Sequence, residues 1–349
     1  MKSLISALAL TVFLAAPAGA ATKIKMAIDE DPIVPWLAES LGYLKDEGVE
    51  IVRVNVEDFE PEDYLLQEPL NKGQFDAAYH WFNHAAFGAR HNLPVKAVMV
   101  LNDAPGMSIL VADRLKDQIK GAADFKGRQI ASGAAYGTKS VLTNYLAIKA
   151  GLPPHSYQSV AKETEGRQEA VLKGLQDGGV DVMTFQEPMT SALLKSGLVQ
   201  PLLDFNSGAA VKKTLGAVFP AQSVLMAPSY IKAHPEAVQH LVNAFVRTMR
   251  FINAHNADEI IAKLPPAYFT GKDRAAETDL IKKNLSTFAR GDYAVSKESA
   301  RLVLDMIKAS DFDQSEEGKW RASAENPKVD PDQLYDNSFV TKATQRYSR

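Results

Sequence analysis

The chain has 349 residues, with 39 Lys plus Arg against 42 Asp plus Glu and a formal net charge of −3. That balance excludes an electrostatic nucleic-acid binder, and the absence of cysteine excludes disulfides, thiolate metal sites and cysteine nucleophiles. A hydrophobic share of 46% with 23% charged residues is that of a globular protein, and the length predicts about two domains.

Lys2 precedes an apolar run from Leu4 to Ala16 broken only by Ser6 and Thr11, and Ala18-Gly19-Ala20 supplies the small residues of a cleavage site. This pattern predicts a secretory signal peptide over 1–20. A membrane anchor is the alternative, but the run is shorter than the ~20 apolar residues that span a bilayer. No lipobox cysteine follows, so the expected product is soluble, exported and periplasmic.

Ile24, Met26 and Ile28 alternate with Lys23, Lys25 and Ala27 as a first strand, ending at Asp29-Glu30-Asp31-Pro32. Trp36, Leu37, Leu41 and Leu44 have helical spacing, Gly48 stops that helix, and Val49 to Val56 reads as a second strand. The alternation recurs through a helix over 64–72, a strand over 75–79, a helix over 85–91 and a strand over 95–101. It implies a parallel sheet covered on both faces. Ser108 to Ala112 is another short strand, and a second α/β series opens at Phe125. Its strand over 129–132 leads through a small-residue loop into a helix over 138–150. A strand near Ser159, a helix over 166–177 and a strand over 180–185 follow. Val224 to Met226 then precedes a long helix over 235–255, expected to run back to the first lobe. The tail is polar, with Leu334, Tyr335 and Phe339 as anchors. No repeat, heptad run or low-complexity tract interrupts this order.

Ligands of open parallel sheets bind beyond the carboxyl ends of the strands, where loops and helix N-termini present free N–H groups. Asp29 to Trp36 places three carboxylates, Asp31 among them, and an indole after the first strand. An acidic helix cap is the plain alternative. Tyr79-His80-Trp81-Phe82-Asn83-His84 gathers two histidines, an amide and three aromatics. His80 and His84 suit a metal only if the stretch is helical, and no H-E-x-x-H surrounds them, so no metal is assigned. Ser132 to Thr138 is a loop of small residues with Thr138 where a capping hydroxyl would sit. It is neither a Walker loop nor a full G-x-G-x-x-G, and a plain turn is the alternative. Phe185-Gln186-Glu187-Pro188 again follows a strand, with Pro188 suited to a first helical turn.

Phe125 to Ala131 (FKGRQIA), the small-residue loop and Leu146 to Leu152 (LAIKAGL) resemble the second-lobe entry of solute-binding proteins in the nitrate/sulfonate/taurine and thiamine-precursor group. Gly179-Val180-Asp181-Val182 followed by Glu187-Pro188 is similar to that family's strand and acidic turn, and Val224 to Glu236, containing AHPE, to its return crossing. The likeness runs from Lys23 to about Val340. It implies a type II periplasmic-binding-protein fold of two α/β lobes joined by two crossings. The first lobe would comprise 21–107 plus 228–349, and the second 108–227. By position it implies ligand contacts at Trp36, His80, Trp81, Asn83, Ala134, Ala135, Tyr136, Gly137, Thr138, Gln186 and Glu187, to which the first loop adds Asp31. The implied partners are a small molecule and the permease and ATPase of an ABC importer, with the protein a monomer, no cofactor and no catalysis.

An exported enzyme of the same fold is the competing class, since a thiamine-synthesis relative consumes its own histidine and bound cofactor. The sequence shows no G-x-S-x-G, S-x-x-K or zincin pattern. The loops carry aromatics with Asp29, Glu30, Asp31 and Glu187 but only Lys139 as a cation. This predicts a neutral or weakly basic heteroaromatic ligand, such as a pyrimidine precursor of thiamine. The alternative is nitrate, taurine, an alkyl sulfonate or a small carboxylate on the helix that starts at Thr138.

Overall fold

Ile24 and Met26 are fully buried while Lys23 and Lys25 face outward, so the alternation read in the sequence is realised in β1 (Thr22–Ile28). The computed structural model describes residues 20–28, 32–55, 66–134, 137–160, 167–310 and 329–348. The signal-peptide expectation, Asp31, Ala135 and Tyr136 lie outside these described residues.

After β1 the helix Ile33–Ser40 crosses over to β2 (Val49–Asn55), which pairs parallel with β1, and β3 (Ala77–Trp81) pairs parallel on the other side. Beyond the helix Asn83–Arg90 comes β4 (Lys96–Val100). Between β3 and β4 lies β10 (Gln222–Met226), antiparallel to both, so the first sheet has the order β2-β1-β3-β10-β4. The second sheet is built from β5 (Met107–Ala112), β6 (Gln129–Ala131), β7 (Gln158–Ser159), β8 (Val182–Gln186) and β9 (Val199–Phe205), in the order β7-β6-β8-β5-β9. The two orders are the same topology. In each sheet the one reversed strand is the strand by which the chain enters from the other lobe, β5 in the second and β10 in the first.

The two crossings are therefore 101–106, between β4 and β5, and 206–221, between β9 and β10. This corrects the boundary expected at 227. Gln222–Met226 belongs to the first sheet because its register pairs it with both β3 and β4, and Met107 already pairs with Gln186 in the second. The chain returns to the first lobe on β10 and not on the long helix Pro235–Ala254. That helix buries Val238, Leu241, Val242, Phe245, Met249 and Ile252 at helical spacing against the first lobe. β9 escapes a reading by periodicity, because its burial runs inward only at Val199 and Phe205 and Pro201 interrupts the pattern.

Beyond Ala254 the described elements are helices. Helix Lys297–Lys308 packs on the first-lobe helix Asn83–Arg90 and on the second-lobe helix Thr138–Lys149. Just beyond its end Ser310 accepts a buried 3.0 Å hydrogen bond from the Asn144 amide. Leu334 and Phe339 are buried as expected of anchors. Among the described residues no helix is long and apolar enough to cross a membrane.

Candidate functional site

The carboxyl ends of β3 and β8 face each other across the two crossings, and a cavity of about 330 Å³ opens between them. Tyr79 and Trp81 on β3 line it, as do Gln186 at the end of β8 and Glu187 just beyond it. The first crossing contributes Asn102, Ala104, Pro105 and Gly106, and the end of the second Ala221 and Gln222. A third wall comes from the C-terminal segment. Tyr268, Thr287, Phe288 and one face of the helix Arg274–Asn284, namely Glu277, Leu280, Ile281 and Asn284, form it, and Pro32 and Ile33 at the start of the helix Ile33–Ser40 complete the lining. That i, i+3, i+4, i+7 spacing is a single helical stripe.

Two carboxylates reach the cavity, and each is held from behind. Glu187 accepts hydrogen bonds from the Ser191 hydroxyl at 2.8 Å and the Ser191 N–H at 3.3 Å, with Lys283 at 3.9 Å. Lys283 also donates to the Ser191 hydroxyl at 2.8 Å, so a first-lobe cation and a second-lobe turn meet at the cleft edge. Glu277 accepts the Tyr268 hydroxyl, with Lys272 at 3.8 Å. The amides are oriented by the scaffold. Gln186 donates from Nε2 to the Pro105 carbonyl at 3.1 Å, and Asn102 from Nδ2 to the Thr287 hydroxyl at 2.7 Å. Gln222 Oε1 is buried with no protein partner. Among the described residues no Lys or Arg lines the cavity.

Of the contacts expected from the sequence, the cavity brings together Trp81, Gln186 and Glu187. Trp36 stands one layer back. Its ring meets Tyr268 edge-on at 6.1 Å and carries the Arg53 guanidinium at 3.9 Å on its face, so it buttresses the wall. His80 alternates away from Tyr79 and Trp81, as strand geometry requires. Its Nδ1 accepts the Trp81 N–H at 2.8 Å, and its ring lies 4.2 Å from His84. Among the described residues no group of three or more metal-ligating side chains surrounds the two histidines. Asn83 is buried in the first turn of its helix and does not line the cavity. Ala134, Gly137 and Thr138 do not line it either. Gly137 is the N-cap and Thr138 the first helical residue, so the hydroxyl expected to cap that helix does not.

The residues that sequence reasoning passed over belong to the first crossing and the third wall. Tyr268, Glu277 and Phe288 follow no strand, so a search of strand-end loops passes over them. The signal present was the stripe Glu277, Leu280, Ile281 and Asn284, apolar in the middle and polar at both ends.

The fold recurs among solved structures. A protein of Bordetella bronchiseptica RB50 is 23% identical, with 95% of this chain and 99% of that one covered and a TM-score of 0.69. The periplasmic aliphatic sulphonate binding protein SsuA from Escherichia coli is 20% identical over 92% and 99% of the two chains, at a TM-score of 0.66. The desulfurization enzyme DSZB is 14% identical over 93% and 99%, at 0.57. No curated protein sequence matches the chain. The type II periplasmic-binding-protein fold is therefore this chain's fold. Residues 33–259 match the family described as NMT1/THI5 like, well over half of the chain, and the protein belongs to that family.

Proposed function

We propose that the protein is a periplasmic solute-binding protein that captures a small, neutral or weakly basic heteroaromatic molecule between its lobes and delivers it to an ABC importer. The observation that carries this reading is the cavity itself. Tyr79, Trp81, Tyr268 and Phe288 offer aromatic faces, Glu187 and Glu277 offer acceptors, and no cation lines it among the described residues. A flat ring gains roughly 0.5–1.5 kcal/mol from each well-placed aromatic partner beyond area burial. Its amino groups would pair with Glu187 and the amide oxygen of Gln222, and a thiamine-type aminopyrimidine has that shape.

An anionic ligand is the second reading, favoured by the likeness to a protein titled as binding aliphatic sulphonate. Against it stands desolvation. A buried sulfonate or nitrate needs cations or aligned N–H groups; the start of the helix Ile33–Ser40 lines the cavity at Pro32 and Ile33 and offers such groups, but Glu187 and Glu277 line it too and, among the described residues, no Lys or Arg does. The fold also serves a desulfurization enzyme, so fold alone does not separate binding from catalysis.

One experiment tests both points. The purified protein is denatured, the released small molecule is identified by mass spectrometry, and that molecule is then incubated with fresh protein. A nitrogen heterocycle recovered unchanged supports the proposal. A sulfonate or inorganic anion refutes the ligand class, and product in excess of stoichiometry refutes the absence of catalysis.

A further inference from the structure

Five charged side chains stand at or directly behind the cavity wall, all on the C-terminal segment except Glu187. Glu277 has Lys272 at 3.8 Å, Glu187 has Lys283 at 3.9 Å, and Lys283 is held more closely by Asp279, at 2.6 Å. Three carboxylates thus face two lysines. The lysines lie outside the lining while Glu187 and Glu277 are in it, so the surface a ligand touches is more negative than the cluster as a whole. Lys272 is shared between Glu277 and the Tyr268 ring, whose centroid lies 3.7 Å from its Nζ. A cation entering the cavity would meet two carboxylates and the negative faces of aromatic rings, an attraction that strengthens as water is excluded.

Glu277 is positioned for this role. The Tyr268 hydroxyl fixes one of its oxygens, and Trp36, itself covered by Arg53, braces Tyr268 in turn. On the same helical stripe Leu280 and Ile281 supply an apolar surface against which a ring could lie.

We infer that the cleft selects its heterocycle as a protonated ring cation, with Glu277 as the residue that reads the positive charge and Glu187 as the residue that reads the exocyclic amine. This rests on the heteroaromatic reading above and adds the charge state of the ligand and a specificity-determining residue in the third wall.

Two probes of nearly equal shape separate the two claims. Both 4-aminopyridine and 4-aminopyrimidine carry the same exocyclic amine, but at pH 7.5 the first is a cation and the second is neutral. Calorimetric titration of the full protein should show 4-aminopyridine binding about tenfold more tightly or better, which is ~1.4 kcal/mol. Glu277→Gln keeps an acceptor for Tyr268 and should reduce that preference to below about threefold. Lys272→Met removes the competing cation and should widen it. Glu187→Gln should weaken both probes alike and leave the ratio standing. Equal affinities in the unmutated protein, or a preference that survives Glu277→Gln, would overturn the inference while leaving the heteroaromatic reading in place. Failure of both probes to bind would overturn the two together.

Discussion

Asp103 lies where the two crossings meet, and replacing it with asparagine should stabilise the protein most at neutral pH. Its backbone N–H donates to the Thr287 carbonyl at 3.0 Å, its carbonyl accepts from Phe219 N–H at 3.2 Å, and its carboxylate is packed against Gly208 and Arg290. Burial pushes the Asp103 carboxyl up from 3.8 to about 6, against the opposing pull of the Arg290 and Gly208 backbone N–H groups and the Arg290 charge. The folded state therefore binds this proton more tightly than the unfolded chain does. The resulting stabilisation is complete below about pH 3.8 and is lost as pH rises through about 6. At ~1.4 kcal/mol per unit the ceiling is about 3 kcal/mol. The side chain is only half-buried, and solvent screening reduces the expected effect to ~1–2 kcal/mol. An asparagine amide has no proton to lose, so the stability of Asp103→Asn minus that of the unmutated protein should grow by ~1–2 kcal/mol between pH 4 and pH 7. Urea unfolding of both proteins across that range measures it, and titration of all other groups cancels in the difference. A difference that is flat with pH, or that shrinks as pH rises, would refute the reasoning.

Three further outcomes follow from the same framework. A Cβ on Gly208 would sit 2.6 Å from Asp103 Oδ2, so Gly208→Ala should cost ~1–3 kcal/mol despite alanine's better helix propensity, and Asp103→Gly should rescue it in a double mutant assayed by thermal unfolding. Asp181 accepts the Arg114 guanidinium at 2.7 Å and the Gln129 N–H at 2.9 Å, tying β6 to β8, so Asp181→Ala should lose ~1–3 kcal/mol in urea; a loss of a few tenths would contradict that assignment. Closure about the crossings at 101–106 and 206–221 should lower the radius of gyration of a monomer when ligand saturates it in small-angle scattering, and an unchanged radius would count against hinge motion.

Local periodicity carried much of the fold. The βαβ unit from Thr22 to Asn55 was legible because one face of the strand and one stripe of the helix are apolar. Which sheet Gln222–Met226 joins was not, because a buried strand of five residues reads the same wherever it pairs, and only long-range register decides. The site divided in the same way. Trp81, Gln186 and Glu187 line the cavity because strand ends meet there. His80 stands outside the lining by the two-residue strand period, and Thr138 is the first helical residue where the cap was expected. Glu277 and Tyr268 were invisible because the cavity reaches them through tertiary packing of a segment far along the chain from the last crossing.

Recognition in the cleft is decided most directly by calorimetric titration of the intact protein with 4-aminopyrimidines, taurine, nitrate and an alkyl sulfonate, repeated on Glu187→Gln. Binding of the heterocycles and not of the anions, weakened about tenfold or more by Glu187→Gln, is the predicted result, since the loss of a charged hydrogen-bond acceptor is worth ~1.5–3 kcal/mol. Micromolar binding of an anion with none of a heterocycle, at an affinity that Glu187→Gln leaves unchanged, would contradict it.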